Sequence, residues 1–509
     1  MAIFSGDIFA ENYTVSSSVT NVQISSVSGS TKSGDSGDDI HQFTGSLFIS
    51  GSRISFDDGN DNTAVGYKSL YAVTTGVRNV ALGVSALQAL TSGQENMAIG
   101  KSALLALTTG NQNVAIGQSA LSSADSSESN NIAIGYQTMN LVNNDGAEHN
   151  IALGYRALQS TTASDTIAIG KEALKALTSG ASNVAIGYEA LKTTTTGLRN
   201  IAIGYEAMHD TDAGSSSSDS DNNIFIGYTA GGGAWANAKS EKNVAIGSNV
   251  MQGVLNGANN NTALGYFALA SITSGDTNVG IGSEAGGVLT TGIKNTIMGY
   301  QAGNAMTSTN YTTLIGYQAG LAINSTDADG TVAIGYNAGK AITTGRYNTA
   351  IGYQAFDSAT ELDKNTAVGY ATLTSMSGSA GDTLNTAVGY YAGAAVTTGT
   401  HNTIVGANTG NTINTGQYNT IMGAETAISL ADGSYNSIIG RRAGYSLTSG
   451  AYNSTLGGFT LYSNQTGFGN VAMGSHAGYS MVGSGGVFIG YEAGHGVSSA
   501  DIVLIGYKA

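Results

Sequence analysis

A glycine preceded by an aliphatic residue returns 26 times between Gly66 and Gly506, in most steps at a spacing of about 17 residues. Asn62-Thr63-Ala64-Val65-Gly66 recurs as Asn79-Val80-Ala81-Leu82-Gly83, Asn96-Met97-Ala98-Ile99-Gly100 and Asn113-Val114-Ala115-Ile116-Gly117. Self-similarity at a short period means stacked units, each of which buries its apolar residues only against its neighbours. A copy this short cannot hold a βαβ unit (~30 residues) or a propeller blade (~40 residues). It suits one coil of a parallel β-solenoid, with about 4.8 Å of rise per coil.

Within a copy, aliphatic and β-branched residues alternate with Ala and Gly, the period-two pattern of a strand with one bulky and one thin face. This predicts a core of the aliphatic residue before the glycine, the β-branched residue three before the glycine, and the Leu at the ninth position of the copy, such as Leu70 and Leu104. The Ala/Gly face is then free for close approach by another backbone, and we expect oligomerisation there. Later copies carry Gly at the ninth position (Gly303, Gly339), which predicts a changed cross-section. The recurrent Thr-Thr-Gly and Thr-Ser-Gly tails read as turns using glycine at φ > 0. Asn opens 21 of the 26 copies, so stacked amides can bond along the rod; a role as a turn residue is equally compatible.

Composition agrees. The chain has no Pro, whose missing N–H would break a ladder, and no Cys, which excludes disulfides and thiolate chemistry. Charged residues are 10% and net charge is −15, a poor match to nucleic acid or anionic lipid. No apolar run reaches the length of about 18 residues that a membrane-spanning helix needs. Met1 to Asp7 lack a basic n-region, so a secretory signal is not expected either.

Residues 1–60 lie outside the repeat and read as a β-rich attachment segment; residues 61–509 read as the solenoid. Long steps locate loops: Asp210 to Asp221, the stretch holding Trp235, Lys239 and Lys242, and Ser377 to Gly381. Trp235, Lys239 and Lys242 are the surface-contact candidates, although Trp235 could equally plug the base of its loop. Asn62, Gly66, Asn79, Gly83, Asn96, Gly100, Asn113 and Gly117 are structural repeat positions. Gly100-Lys101-Ser102 ends like a phosphate-binding loop, but Glu95 stands where its first glycine belongs. The six His show no metal spacing, and the Asp-rich turns at 57–61, 210–221 and 327–330 complete no calcium motif. No cofactor, metal or catalytic group is expected. Tyr follows the anchor glycine in 15 copies and could stack as an outer column touching glycans, or simply cover the coil edge.

The unit Asn113-Val114-Ala115-Ile116-Gly117-Gln118-Ser119-Ala120 resembles the head repeat of trimeric autotransporter adhesins. The resemblance covers residues 62–509 and implies a left-handed parallel β-roll, three chains to a rod. The segments Gly29 to Asp35 and His41 to Ser46 resemble parts of structural and fibre proteins of tailed phages, notably marine ones. That implies a non-enzymatic virion fibre: a homotrimeric rod attached to other virion proteins near its N-terminus and touching a host-surface glycan or protein. A bacterial cell-surface adhesin head, or a monomeric ice- or carbohydrate-binding solenoid, are the alternatives.

Overall fold

The computed structural model describes residues 59–142, 146–211, 219–378 and 380–509. The expected attachment segment 1–60, apart from its last two residues, lies outside these, as do residues 212–218 of the Asp-rich insert and Ser379. The described chain is a parallel β-solenoid. Twenty-six strands of three residues, from Thr63–Val65 to Val503–Ile505, form one sheet. Each strand pairs in parallel with the equivalent strand of the next coil, residue on equivalent residue, as in Ala64↔Ala81 and Ala98↔Ala115. At about 4.8 Å per step the sheet is roughly 120 Å long. A two-residue pair, Leu362–Asp363 with Gly381–Asp382, decorates one long copy.

The ladder does not stop at the strand. Val80 N–H donates to Asn96 O (2.8 Å), Gly83 N–H to Val65 O (2.8 Å), Leu87 N–H to Ala103 O (3.0 Å) and Thr91 N–H to Thr108 O (2.9 Å). Each coil therefore donates to the coils on both sides around most of its circumference.

The anchor glycines form a column for a steric reason. They adopt φ between 117° and 143°, where side chains are rarely tolerated. A Cβ on Gly66 would sit 2.4 Å from Gly83 O, and one on Gly204 would sit 2.1 Å from Gly227 O. The Thr-Gly tails obey a different rule from the one expected. Gly76, Gly93 and Gly110 are not at positive φ. They are glycine because a Cβ would meet the next coil's carbonyl oxygen at 2.6, 2.3 and 2.1 Å. Positive φ falls instead on residues with side chains, at three places per coil: Ser85, Leu87 and Glu95 in one copy, Ser102, Leu104 and Gln112 in the next.

The strand faces are the reverse of the sequence expectation. The central Ala of the strand (Ala81, Ala98, Ala115) is fully buried, whereas its aliphatic neighbours are half-buried or exposed. Inside the coil lie that Ala, the Ala three residues after the anchor, the ninth-position Leu and a further aliphatic residue seven after the anchor, such as Leu90, Leu107, Ile272 and Met306. Where the ninth position is Leu, as at Leu87, Leu104 and Leu121, that side chain takes the interior volume and the inward strand residue is Ala.

Where the ninth position becomes Gly, the strand often supplies the missing volume. Phe225, Leu314 and Phe488 replace the central Ala and are fully buried. They fill the space of Gly231, Gly320 and Gly494, where a Cβ would meet these side chains at 2.5, 2.8 and 2.2 Å. In these coils bulk moves from one wall to the other; at Gly339, where Ala333 stays small, Ile342 reaches the space instead, 2.8 Å from where a Cβ would be.

Asn residues line one inner edge. Asn79 Nδ2 donates to Asn62 Oδ1 (3.1 Å) and to Gly93 O (2.9 Å), while Asn79 N–H donates to Asn62 Oδ1 (2.9 Å). Asn96 and Asn113 repeat the arrangement. All are buried, so every bond replaces water that the interior cannot offer. Thr312 interrupts the Asn series yet keeps the contact, its Oγ1 donating to Asn295 Oδ1 at 2.7 Å.

Candidate interaction surfaces

Four features face outward. The first is the aliphatic strand face. The two outward positions of all 26 strands carry no charged residue, in a chain with 53 charged residues (19 and 34). The position before the anchor is aliphatic throughout. It is 47% exposed at Val65, 46% at Leu264 and 50% at Leu456. A strip about 120 Å long and two side chains wide amounts to on the order of 1,000 Å² of uncharged surface, in which the column before the anchor is aliphatic in every coil and the other column is Thr or Ser in eleven of the 26 strands. The face expected to carry oligomerisation, Ala and Gly, is inside and cannot do so.

The second feature is a set of aromatic columns. Tyr300, Tyr317, Tyr336, Tyr353, Tyr370 and Tyr390 stack on one another with ring centroids 5.0–5.3 Å apart. Tyr188, Tyr205 and Tyr228 form a shorter stack. Tyr418, Tyr435 and Tyr452 form another at a different edge of the coil, capped by His401. Inside these columns both ring faces are covered by neighbouring rings. Only edges and hydroxyls meet solvent, so a sugar has no ring face to stack on. The columns seal the coil edge.

The third feature is the stretch after Gly227. Trp235, a surface-contact candidate on sequence grounds, is fully buried. Its Nε1–H donates to Gly231 O at 2.9 Å, and its ring packs on Phe225 at 5.7 Å. A long copy with more chain than the coil needs has folded its largest side chain inward as a plug. Lys239 and Lys242 do reach the surface. Lys239 lies 3.7 Å from Asp219, and Lys242 occupies the positive-φ position before Asn243.

The fourth is a charged cluster at successive coils. Lys192 Nζ lies 2.8 Å from Glu189 and 3.3 Å from Glu172; Lys175 lies 3.3 Å from Glu172; His209 Nε2 lies 2.9 Å from Glu189. Burial pushes the Glu189 carboxyl up, but hydrogen bonds from Lys192, Tyr188 and His209 outweigh it and hold the group at about 2. Glu172 is lowered in the same way: burial opposes, and Lys175 and Lys192 prevail. A carboxylate with a depressed folded-state pKa stabilises the fold above its unfolded value and loses that contribution as pH falls through the folded one. Thermal melts should therefore show stability falling from about pH 4.5 toward about 2. A Glu172→Gln/Glu189→Gln double variant should have a shallower acid slope over that window; an unchanged slope would remove this cluster as its source.

The Asp-rich turn at 327–330 is tied to the protein. Asp329 accepts from Asn310 N–H (2.6 Å) and Asn310 Nδ2 (3.1 Å), and Asp327 pairs with Arg346 (3.2 Å). Gly100, Lys101 and Ser102 form an ordinary coil corner. Among the described residues no three His, Cys, Asp or Glu converge to hold a metal, and no helix is long and apolar enough to cross a membrane. No protein-family model and no curated protein matches the chain.

Sequence reasoning thus placed the anchor glycines and the Asn column. It missed the inner aliphatic residue seven after the anchor, although its recurrence at Leu90, Leu107, Leu177 and Leu289 is a visible signal.

Proposed function

We propose that the chain is a non-enzymatic virion fibre, a stiff homotrimeric rod held by other virion proteins through residues 1–60 and presented to a host-surface glycan or protein. The observation carrying this reading is the uncharged outer face of the sheet, with an unbroken column of aliphatic residues before the anchors that runs the whole length of the solenoid. Copies of the same rod laid side by side in register would cover it. The area available exceeds the ~800 Å² per partner of an ordinary stable interface. The number three comes from the resemblance to trimeric adhesin heads; the face comes from the packing. Weak contacts repeated threefold on a rigid rod gain avidity without new chemistry.

A cell-surface adhesin head would use the same face and differ in what anchors it. The Thr-Gly tails offer an ice surface no free hydroxyl array. Thr74, Thr91 and Thr108 donate their hydroxyl protons to the next coil's carbonyl oxygens at 3.0 Å, so those groups are committed to coil stacking.

Mass spectrometry of density-purified particles from the source culture tests the virion assignment. The chain should appear among the structural proteins. Its presence only in a cell-envelope fraction would replace the fibre reading with the adhesin one.

A further inference from the structure

We propose that a trough on the flank of the rod, between the coils anchored at Gly227 and Gly299, binds an uncharged or amino-substituted saccharide. The trough is open to solvent along its length and offers about 680 Å³. It spans five coils, roughly 20 Å along the rod.

Its origin is a change in one column. At the fifth residue after the anchor many other coils carry long side chains, including Lys175, Lys192, Tyr445 and Tyr462. Here that position is Gly232, Ala270 and Gly287, with Gln252 between them. Asn304 Oδ1 occupies the space that Gly287 leaves, 2.6 Å from where a Cβ would be. The loop held by the buried Trp235 sets Gly233 at the end of the trough.

The walls have the chemistry of sugar recognition. Tyr266 belongs to the column after the anchor, but its column neighbours are Ser248 and Ser283. No ring of that column covers either of its faces, unlike the Tyr inside the long stacks. Phe267 meets it edge-on at 4.4 Å and is itself flanked in its own column by Asn249 and Glu284. Neither ring is stacked face to face on another, and the aromatic faces left open beside their edge-on contact suit the apolar face of a pyranose. Gln252, Ser271, Glu284 and Asn304 line the same trough and can bond its hydroxyls. Gln301 Nε2 donates to Glu284 Oε2 at 2.8 Å and orients that carboxylate. The lining contains Glu284 and no Lys, Arg or His, so carboxylated and sulfated sugars are disfavoured.

This deepens the host-contact part of the fibre reading and rests on it only for the biological source of the sugar. Saturation-transfer NMR on the full chain tests it, with glucose, galactose, N-acetylglucosamine and glucosamine as one arm, and galacturonate and N-acetylneuraminic acid as the other. Saturable transfer is expected to at least one sugar of the first arm and to none of the second. Tyr266→Ser, which copies Ser248 and Ser283, should weaken it roughly tenfold. Glu284→Gln, which copies Gln301, should reduce any preference for glucosamine over its neutral counterpart. Both variants should melt like the parent, because each side chain already occupies the equivalent position in another coil. No transfer from the first arm, equal transfer from both arms, or binding indifferent to Tyr266→Ser would overturn the site. The fibre reading is judged separately, by particle content.

Discussion

Gly204→Ala is expected to lower stability by at least ~3 kcal/mol, among the larger effects of any single methyl group. Two costs combine. The residue sits at φ +138°, and its new Cβ would lie 2.1 Å from Gly227 O and 2.7 Å from Gly227 C. Relief requires moving a backbone carbonyl, because the nearest atoms are main chain on the next coil. Every neighbouring coil is stacked through the same column, so the shift cannot stay local. Gly496→Ala is the contrasting control, since Gly496 has neither the positive φ nor any atom within 4 Å of a new Cβ. It should stay within about 0.5 kcal/mol of the parent by chemical denaturation. Equal effects at the two positions would mean that the anchor column is not closely stacked.

Asn79→Asp/Asn96→Asp/Asn113→Asp should be the second large perturbation, at roughly 1–3 kcal/mol per position. Each Nδ2 donates both to the preceding Asn Oδ1 and to a main-chain carbonyl. A carboxylate puts an acceptor against both, and three in succession repel one another in a buried column. The sign with pH follows. Burial and like charge raise the folded-state pKa of each new Asp above its unfolded value, so the folded state holds more protons and stability falls as pH rises through that window. The variant should be least impaired in acid, where protonated Asp can again donate, and most impaired at neutral pH. Melts from acid to neutral pH that parallel the parent's would contradict the hydrogen-bonded column.

The fold was legible because its constraints are local and repeated. A regularly returning anchor glycine, an Asn four before it and a short apolar alternation give coil, column and register directly. Which face turns inward was not legible. A period-two pattern separates two faces without naming the buried one, and a one-residue change of reference exchanges them. Hydrophobicity pointed to Leu82 and Ile99 as core, but the buried strand residues beside them are the small ones, Ala81 and Ala98, because Leu87 and Leu104 already fill the interior. The Thr-Gly glycines misled for a related reason. A glycine demanded by φ and one demanded by a close carbonyl look alike in sequence, and Gly93 is the second kind. Trp235 and the trough beside it depend on how a long copy folds, which no repeat position encodes.

The proposed rod requires its outward aliphatic strip to be covered by further copies of the same chain. Light scattering on the purified, unheated protein decides this by mass. A particle of three times 51.3 kDa is expected, shifting to a smaller or aggregated species when Ile169 and Ile186 are both replaced by Asp on that face. A single 51.3 kDa species that persists at every concentration, with the strip left in water, would contradict it.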